Sequence, residues 1–71
     1  MTVVNTRNCR VYLADMCDSK GMWLSESGLA NAAKLMVRFL TKGELMETIP
    51  AQAVEDAANT AILCIMEGIT A

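Results

Sequence analysis

From Glu26 to about Thr41 the chain is apolar around more than half of a helical circumference, and few folds can accommodate such a segment. At about 100° per residue, Leu29, Ala32, Ala33, Leu35, Met36, Val37, Phe39 and Leu40 fall on one wide arc. Only Asn31, Lys34, Arg38, Thr41 and Lys42 are left for water. A helix of that breadth has to be covered on two flanks, which makes it the central element. Ser25 suits its N-cap, with Leu24 just outside and Leu29 at the fourth position inside, the spacing of a hydrophobic staple. Lys42 and Gly43 place a cation and then a glycine at its end.

Two further helices flank it. The first spans about residues 6–20, with Asn5 or Thr6 as cap and Cys9, Tyr12, Leu13, Met16 and Cys17 on one arc. Gly21 suits the left-handed position after its end, and Met22 can fold back on Cys17. The third spans about residues 50–67, opened by Pro50 and ended by Gly68, with Val54, Ala57, Ala58, Ala61, Ile62 and Ile65 turned inward. The predicted architecture is an all-α three-helix bundle in a single domain, residues 1–71, with helices at about 6–20, 26–41 and 50–67. The competing architecture is α+β, an N-terminal β-hairpin followed by two helices, because Asp18-Ser19-Lys20-Gly21 is also good hairpin-turn chemistry. The helix is preferred, since the second strand would have only Met22-Trp23-Leu24 to offer.

Length and composition then pull against each other. A domain of 71 residues hides only about 60% of the surface its unfolded chain exposes, yet 54% of its residues are hydrophobic. One short chain has little left to cover the second flank of the central helix, which predicts association, in the simplest form a homodimer, or a tightly held protein partner. Candidate interface residues are Leu35 and Phe39 on the central helix and Trp23 in the connection before it. Val11 and Leu63 join them, because each is an apolar residue among the polar positions of its helix.

A membrane span is not expected: the charge-free stretch from Ala57 to Met66 falls well short of the roughly 20 apolar residues required. Residues Met1 to Arg10 are polar where a secretory leader would be apolar, and Cys9, Cys17 and Cys64 are odd in number and widely spaced. These features predict a cytoplasmic protein with reduced cysteines that serve as small core hydrophobes.

The same residues weigh against catalysis. The chain has no histidine, no phosphate-binding glycine loop and no C-x-x-C pair, so no enzyme activity, cofactor, metal or small-molecule substrate is expected. Charge is unevenly spread. All six bases and three acids lie in residues 1–43, giving +3, whereas residues 44–71 hold five acids and no base, giving −5. Lys34, Arg38 and Lys42 recur every four residues and form a basic ridge on the central helix. That ridge supports the alternative of a DNA-binding helix-turn-helix regulator, with Ser25, Ser27 and Asn31 near the leading end of a recognition helix. Three cations on a chain of pI about 4.8 are a thin footprint for nucleic acid. The preferred function is therefore a non-enzymatic module that binds a protein stoichiometrically, as an inhibitor, adaptor or regulator of the kind that phages and other mobile elements encode.

Overall fold

The computed structural model describes residues 2–68 and contains three helices: α1 (Thr6–Ser19), α2 (Glu26–Phe39) and α3 (Ala51–Met66), with one 3₁₀ turn at Met46–Thr48. The all-α three-helix reading stands, and the hairpin alternative does not. Asp18 to Gly21 is the end of a helix rather than a turn between strands. Gly21, at φ +66°, donates its N–H to the Asp18 carbonyl at 3.2 Å, and Met22 donates to the Cys17 carbonyl at 2.8 Å. This paired closure satisfies carbonyls that the helix end would otherwise strand, and the left-handed residue it needs is a glycine.

The helix starts are equally local in origin. Asn5 Oδ1 accepts the Asn8 N–H at 2.8 Å to cap α1, and Ser25 Oγ accepts the Gly28 N–H at 3.1 Å to cap α2. Leu24 and Leu29 both pack half-buried against the core, as the staple spacing requires. Pro50 immediately precedes α3, where its fixed φ fits and its missing N–H costs nothing.

The central helix α2 packs on α1 along one flank and on α3 along the other, while α1 and α3 touch each other only slightly. Small residues make this possible. Ala32, Ala33, Ala57, Ala58 and Ala61 are buried, and a β-carbon at Gly28 would lie 3.7 Å from the Ile65 side chain. The last turn of α3 therefore lies beside the first turn of α2. Leu35 becomes a core residue at 6% exposure, and Val37 and Leu40 are half-buried. Covering the second flank of α2 thus needs no other molecule. Alanine-lined helices approach closely enough for one short chain to supply both flanks. The radius of gyration, 10.9 Å, agrees with the value of about 11 Å for an ordinarily compact chain of this length.

One tertiary feature has no counterpart in the periodicity. Residues Thr2 to Val4 run antiparallel to Gly43–Met46. Val4 donates to the Glu44 carbonyl at 2.8 Å, Gly43 to the Val4 carbonyl at 2.9 Å and Met46 to the Thr2 carbonyl at 2.8 Å, with a bridge between Val3 and Leu45. Asn8 Nδ2 ties the same segment to α1 through the Val3 carbonyl at 2.8 Å. Gly43, at φ +86°, allows the chain to turn into this pairing, and Val4 is fully enclosed. The pairing accompanies an early end to α2. Leu40 is already extended, so the helix stops at Phe39 rather than at Thr41.

Two substitutions test this account. Val4→Ala removes two methyl groups from a closed site and is expected to lower stability to urea by about 2 kcal/mol. A loss within about 0.5 kcal/mol, ordinary for a surface position, would detach the segment from the cooperative core. Gly21→Ala meets no atom within 4 Å, so its expected loss of about 1–2 kcal/mol comes from the left-handed backbone alone.

Candidate protein-interaction surface

The closed core leaves several large apolar groups outside it. Among the described residues the exposed large hydrophobics are Val3, Val11, Trp23, Phe39, Leu63 and Met66. Trp23 is the extreme case at 84% exposure. It sits in the α1–α2 connection between Gly21, which turns the chain out of α1, and Ser25, which caps α2. Its neighbours Met22 and Leu24 both turn inward and are half-buried, which leaves the indole between them facing out.

Trp23 borders a groove of about 410 Å³ at the corner between α1 and α2. Ala14, Cys17, Met22, Leu24 and Leu29 supply apolar lining, while Asp15 and Asp18 bring two carboxylates to it. Leu63 and Met66, 57% and 65% exposed, are i,i+3 neighbours near the end of α3. Because the last turn of α3 lies beside the first turn of α2, both share one end of the bundle with Trp23. An apolar end with a large aromatic beside a lined groove has the make-up of the anchors that dominate protein–protein contacts.

The residues singled out from the sequence divide accordingly. Trp23 and Leu63 come to the same end. Val11 is exposed at 57% on α1, on the side opposite its buried Cys9, Leu13 and Cys17, and stands apart. Phe39 is about half exposed at the far end of α2, away from Trp23. Leu35 has almost no surface to offer, because it faces the inside of the bundle. Met66 is absent from the sequence-based set. Its place three residues after Leu63 on the same helix is the signal that would have found it.

The basic ridge is shorter than its spacing implied. Lys34 and Arg38 are exposed on α2, but Lys42 lies beyond the helix end, in the turn drawn toward Val4. The strict four-residue rise from Arg38 to Lys42 is therefore broken. Flanking by α1 and α3 leaves α2 a narrow outward strip that includes Ser27, Lys34 and Arg38.

No polar or charged side chain is buried among the described residues, and no three His, Cys, Asp or Glu side chains there converge as metal ligands. No helix among them is long and apolar enough to cross a membrane. Cys9, Cys17 and Cys64 are free thiols, the first two buried. Burial pushes the Cys9 thiol above its ordinary range, opposed in part by a hydrogen bond with the Asn5 backbone. Burial also raises the Tyr12 phenol, and the Glu55 carboxylate across from it adds to the rise. Comparison with protein-family models, with curated proteins and with solved structures finds no match.

Two measurements check this arrangement. Trp23 is the single tryptophan, so native fluorescence is expected to resemble that of free tryptophan and to be quenched nearly as well by iodide. A strongly blue-shifted, protected emission would place the indole inside. For the raised groups, folded values above unfolded ones mean that their stabilisation is complete at neutral pH and is lost as pH climbs through the folded values. Stability to urea is expected to hold at pH 7–8 and to fall above about pH 8.5–10, the ordinary thiol and phenol range. Tyr12→Phe should flatten the upper part of that fall, and an unchanged profile would remove Tyr12 from the cause.

Proposed function

We propose that this chain is a non-enzymatic interaction module that binds a protein partner stoichiometrically through the end of the bundle carrying Trp23, Leu63 and Met66. The observation that supports the reading most directly is the 84% exposure of the indole beside an apolar groove, at the same end as two further exposed apolar side chains. Leaving such a side chain in water forgoes the roughly 1.5–3 kcal/mol gained by covering a large apolar group. The connection contributes no packing that would require tryptophan at this position. The partner is an unidentified protein, a second copy of the chain, or both in turn, and the role is that of an inhibitor, adaptor or regulator at a cytoplasmic location.

The test compares wild-type protein with Trp23→Ala and Leu63→Asp, both surface changes expected to leave the helical circular dichroism intact. Immobilised wild-type protein is expected to retain a defined partner from the source cell, with little dependence on salt. Trp23→Ala should weaken that retention about thirtyfold, the equivalent of about 2 kcal/mol. Retention of the same proteins by wild type and by Trp23→Ala would sink the proposal. Capture of nucleic acid that fails steeply with salt, and with Lys34→Ala plus Arg38→Ala, would replace it with the regulator alternative. Sedimentation separates the homodimer from the hetero-complex: a mass of 7.7 kDa at every concentration leaves only the latter.

A further inference from the structure

A second surface lies on the α3-facing side of α1; it shares Asp15 with the Trp23 groove but does not rest on that reading. Because α1 and α3 scarcely touch, the seam between them is open. Two hollows lie along it, of about 460 and 340 Å³, and they adjoin at Tyr12, which lines both; together they make up the trough considered as one surface. Its floor is apolar: Tyr12 and Met16 from α1, Val54 from α3, and Met46 and Ile49 from the segment before α3. All five pack on the core while keeping one side toward the trough.

Its rim is acidic. Asp15, Glu47 and Glu55 bring three carboxylates from three different parts of the chain. Lys20 is the one cation among the lining residues, and its ammonium is directed to Asn59 Oδ1 at 3.0 Å. Glu47 accepts the Thr2 N–H through Oε1 at 2.8 Å, which ties this part of the rim to the N-terminal segment. Glu55 lines the same hollow as Tyr12 and Met16, which sets this carboxylate beside the apolar floor. An apolar floor under a rim of three carboxylates and one lysine complements an apolar surface edged by cations.

The shape selects among such ligands. Helical walls offer no free row of backbone N–H and C=O groups, so an extended strand would find no ladder to join. The α1 wall from Tyr12 to Lys20 rises about 12 Å, the distance over which a docked helix places anchors at i, i+3 or i+4 and i+7. We infer that the α1–α3 trough is the docking site for a basic amphipathic helix of another protein, its apolar stripe on Tyr12, Met16, Met46 and Ile49 and its lysines or arginines on Asp15, Glu47 and Glu55. Docking it would give α1 and α3 the mutual cover they lack and complete a four-helix bundle.

The experiment uses two synthetic helical peptides of about 14 residues that share leucines at i, i+3, i+4 and i+7, one with lysine and the other with glutamate at the remaining positions. The lysine peptide is expected to bind and to shift amide resonances at Tyr12, Met16, Met46, Ile49 and Val54. The glutamate peptide should bind at least tenfold more weakly. Glu47→Gln with Glu55→Gln should weaken the lysine peptide severalfold and make its salt dependence shallower. Glu26→Gln with Glu67→Gln, which removes two charges that do not line the trough, should leave binding unchanged. Trp23→Ala should also leave it unchanged, so failure here and failure of the Trp23 reading are separable. Shifts centred elsewhere, equal binding of both peptides, equal weakening by both charge pairs or no binding by either peptide would each overturn the inference. So would concentration-dependent burial of the trough by a second copy of the chain.

Discussion

The close approach of α2 to its neighbours through small side chains is the constraint on which the rest of the molecule depends. Gly28, Ala32 and Ala33 on α2 and Ala57, Ala58 and Ala61 on α3 occupy the contacts where bulkier side chains would hold the helices apart. Because those contacts are short, a few large residues suffice to fill what remains. Leu13, Met36, Val4 and Cys9 are the largest enclosed side chains, a modest set for a chain that is 54% hydrophobic. A core built from small residues closes early. The larger apolar residues that it does not use are left at the surface.

That consequence reverses the argument from hydrophobic excess. The width of the apolar arc on α2 points to a covering molecule, but α1 and α3 take up that arc between them. Apart from Phe39, about half exposed at the end of α2, the excess reappears off that helix, with Trp23, Leu63 and Met66 at one end of the bundle. The case for association therefore shifts from the middle of the bundle to one end, and from aliphatic breadth to a single exposed aromatic. The physical quantity is the same, apolar area left in water. Only its location could not be computed from a helical wheel, which measures one helix and says nothing of how near its neighbours come.

What the residues disclose in advance follows the range of the interaction. Asn5, Gly21, Ser25 and Pro50 each act within a few positions of themselves, and each sits where its cap, left-handed turn or first-turn preference puts it. The buried arcs of α1 and α3 follow from period alone. The pairing of Thr2–Val4 with Gly43–Met46 joins segments some 40 residues apart, and neither local preference nor period says which distant carbonyl a free N–H will find. Its effects spread: Val4 enters the core, α2 stops at Phe39, and Lys42 drops off the basic ridge. The exposure of Trp23 is likewise settled by packing rather than by local preference. An indole in a short connection can fold in or out, and the inward-turned Met22 and Leu24 on either side of it decide the matter here.

The uneven charge of the chain gains meaning only once the helices are arranged. Three of the eight acids converge on the α1–α3 seam, Asp15 from the basic half and Glu47 and Glu55 from the acidic half, so the charge of the trough draws on both halves of the sequence. Lys34 and Arg38, by contrast, face away on α2, where they line neither hollow of the seam. Lys34 and Arg38 are thus held on a different face from the trough carboxylates, in a body only 29 × 24 × 18 Å across. At physiological ionic strength the screening length is about 8 Å, so opposite faces of such a body act on their surroundings almost independently. An acidic trough can attract a cationic helix even though the chain as a whole carries only −2, because an approaching ligand responds to the nearest few charges rather than to the sum.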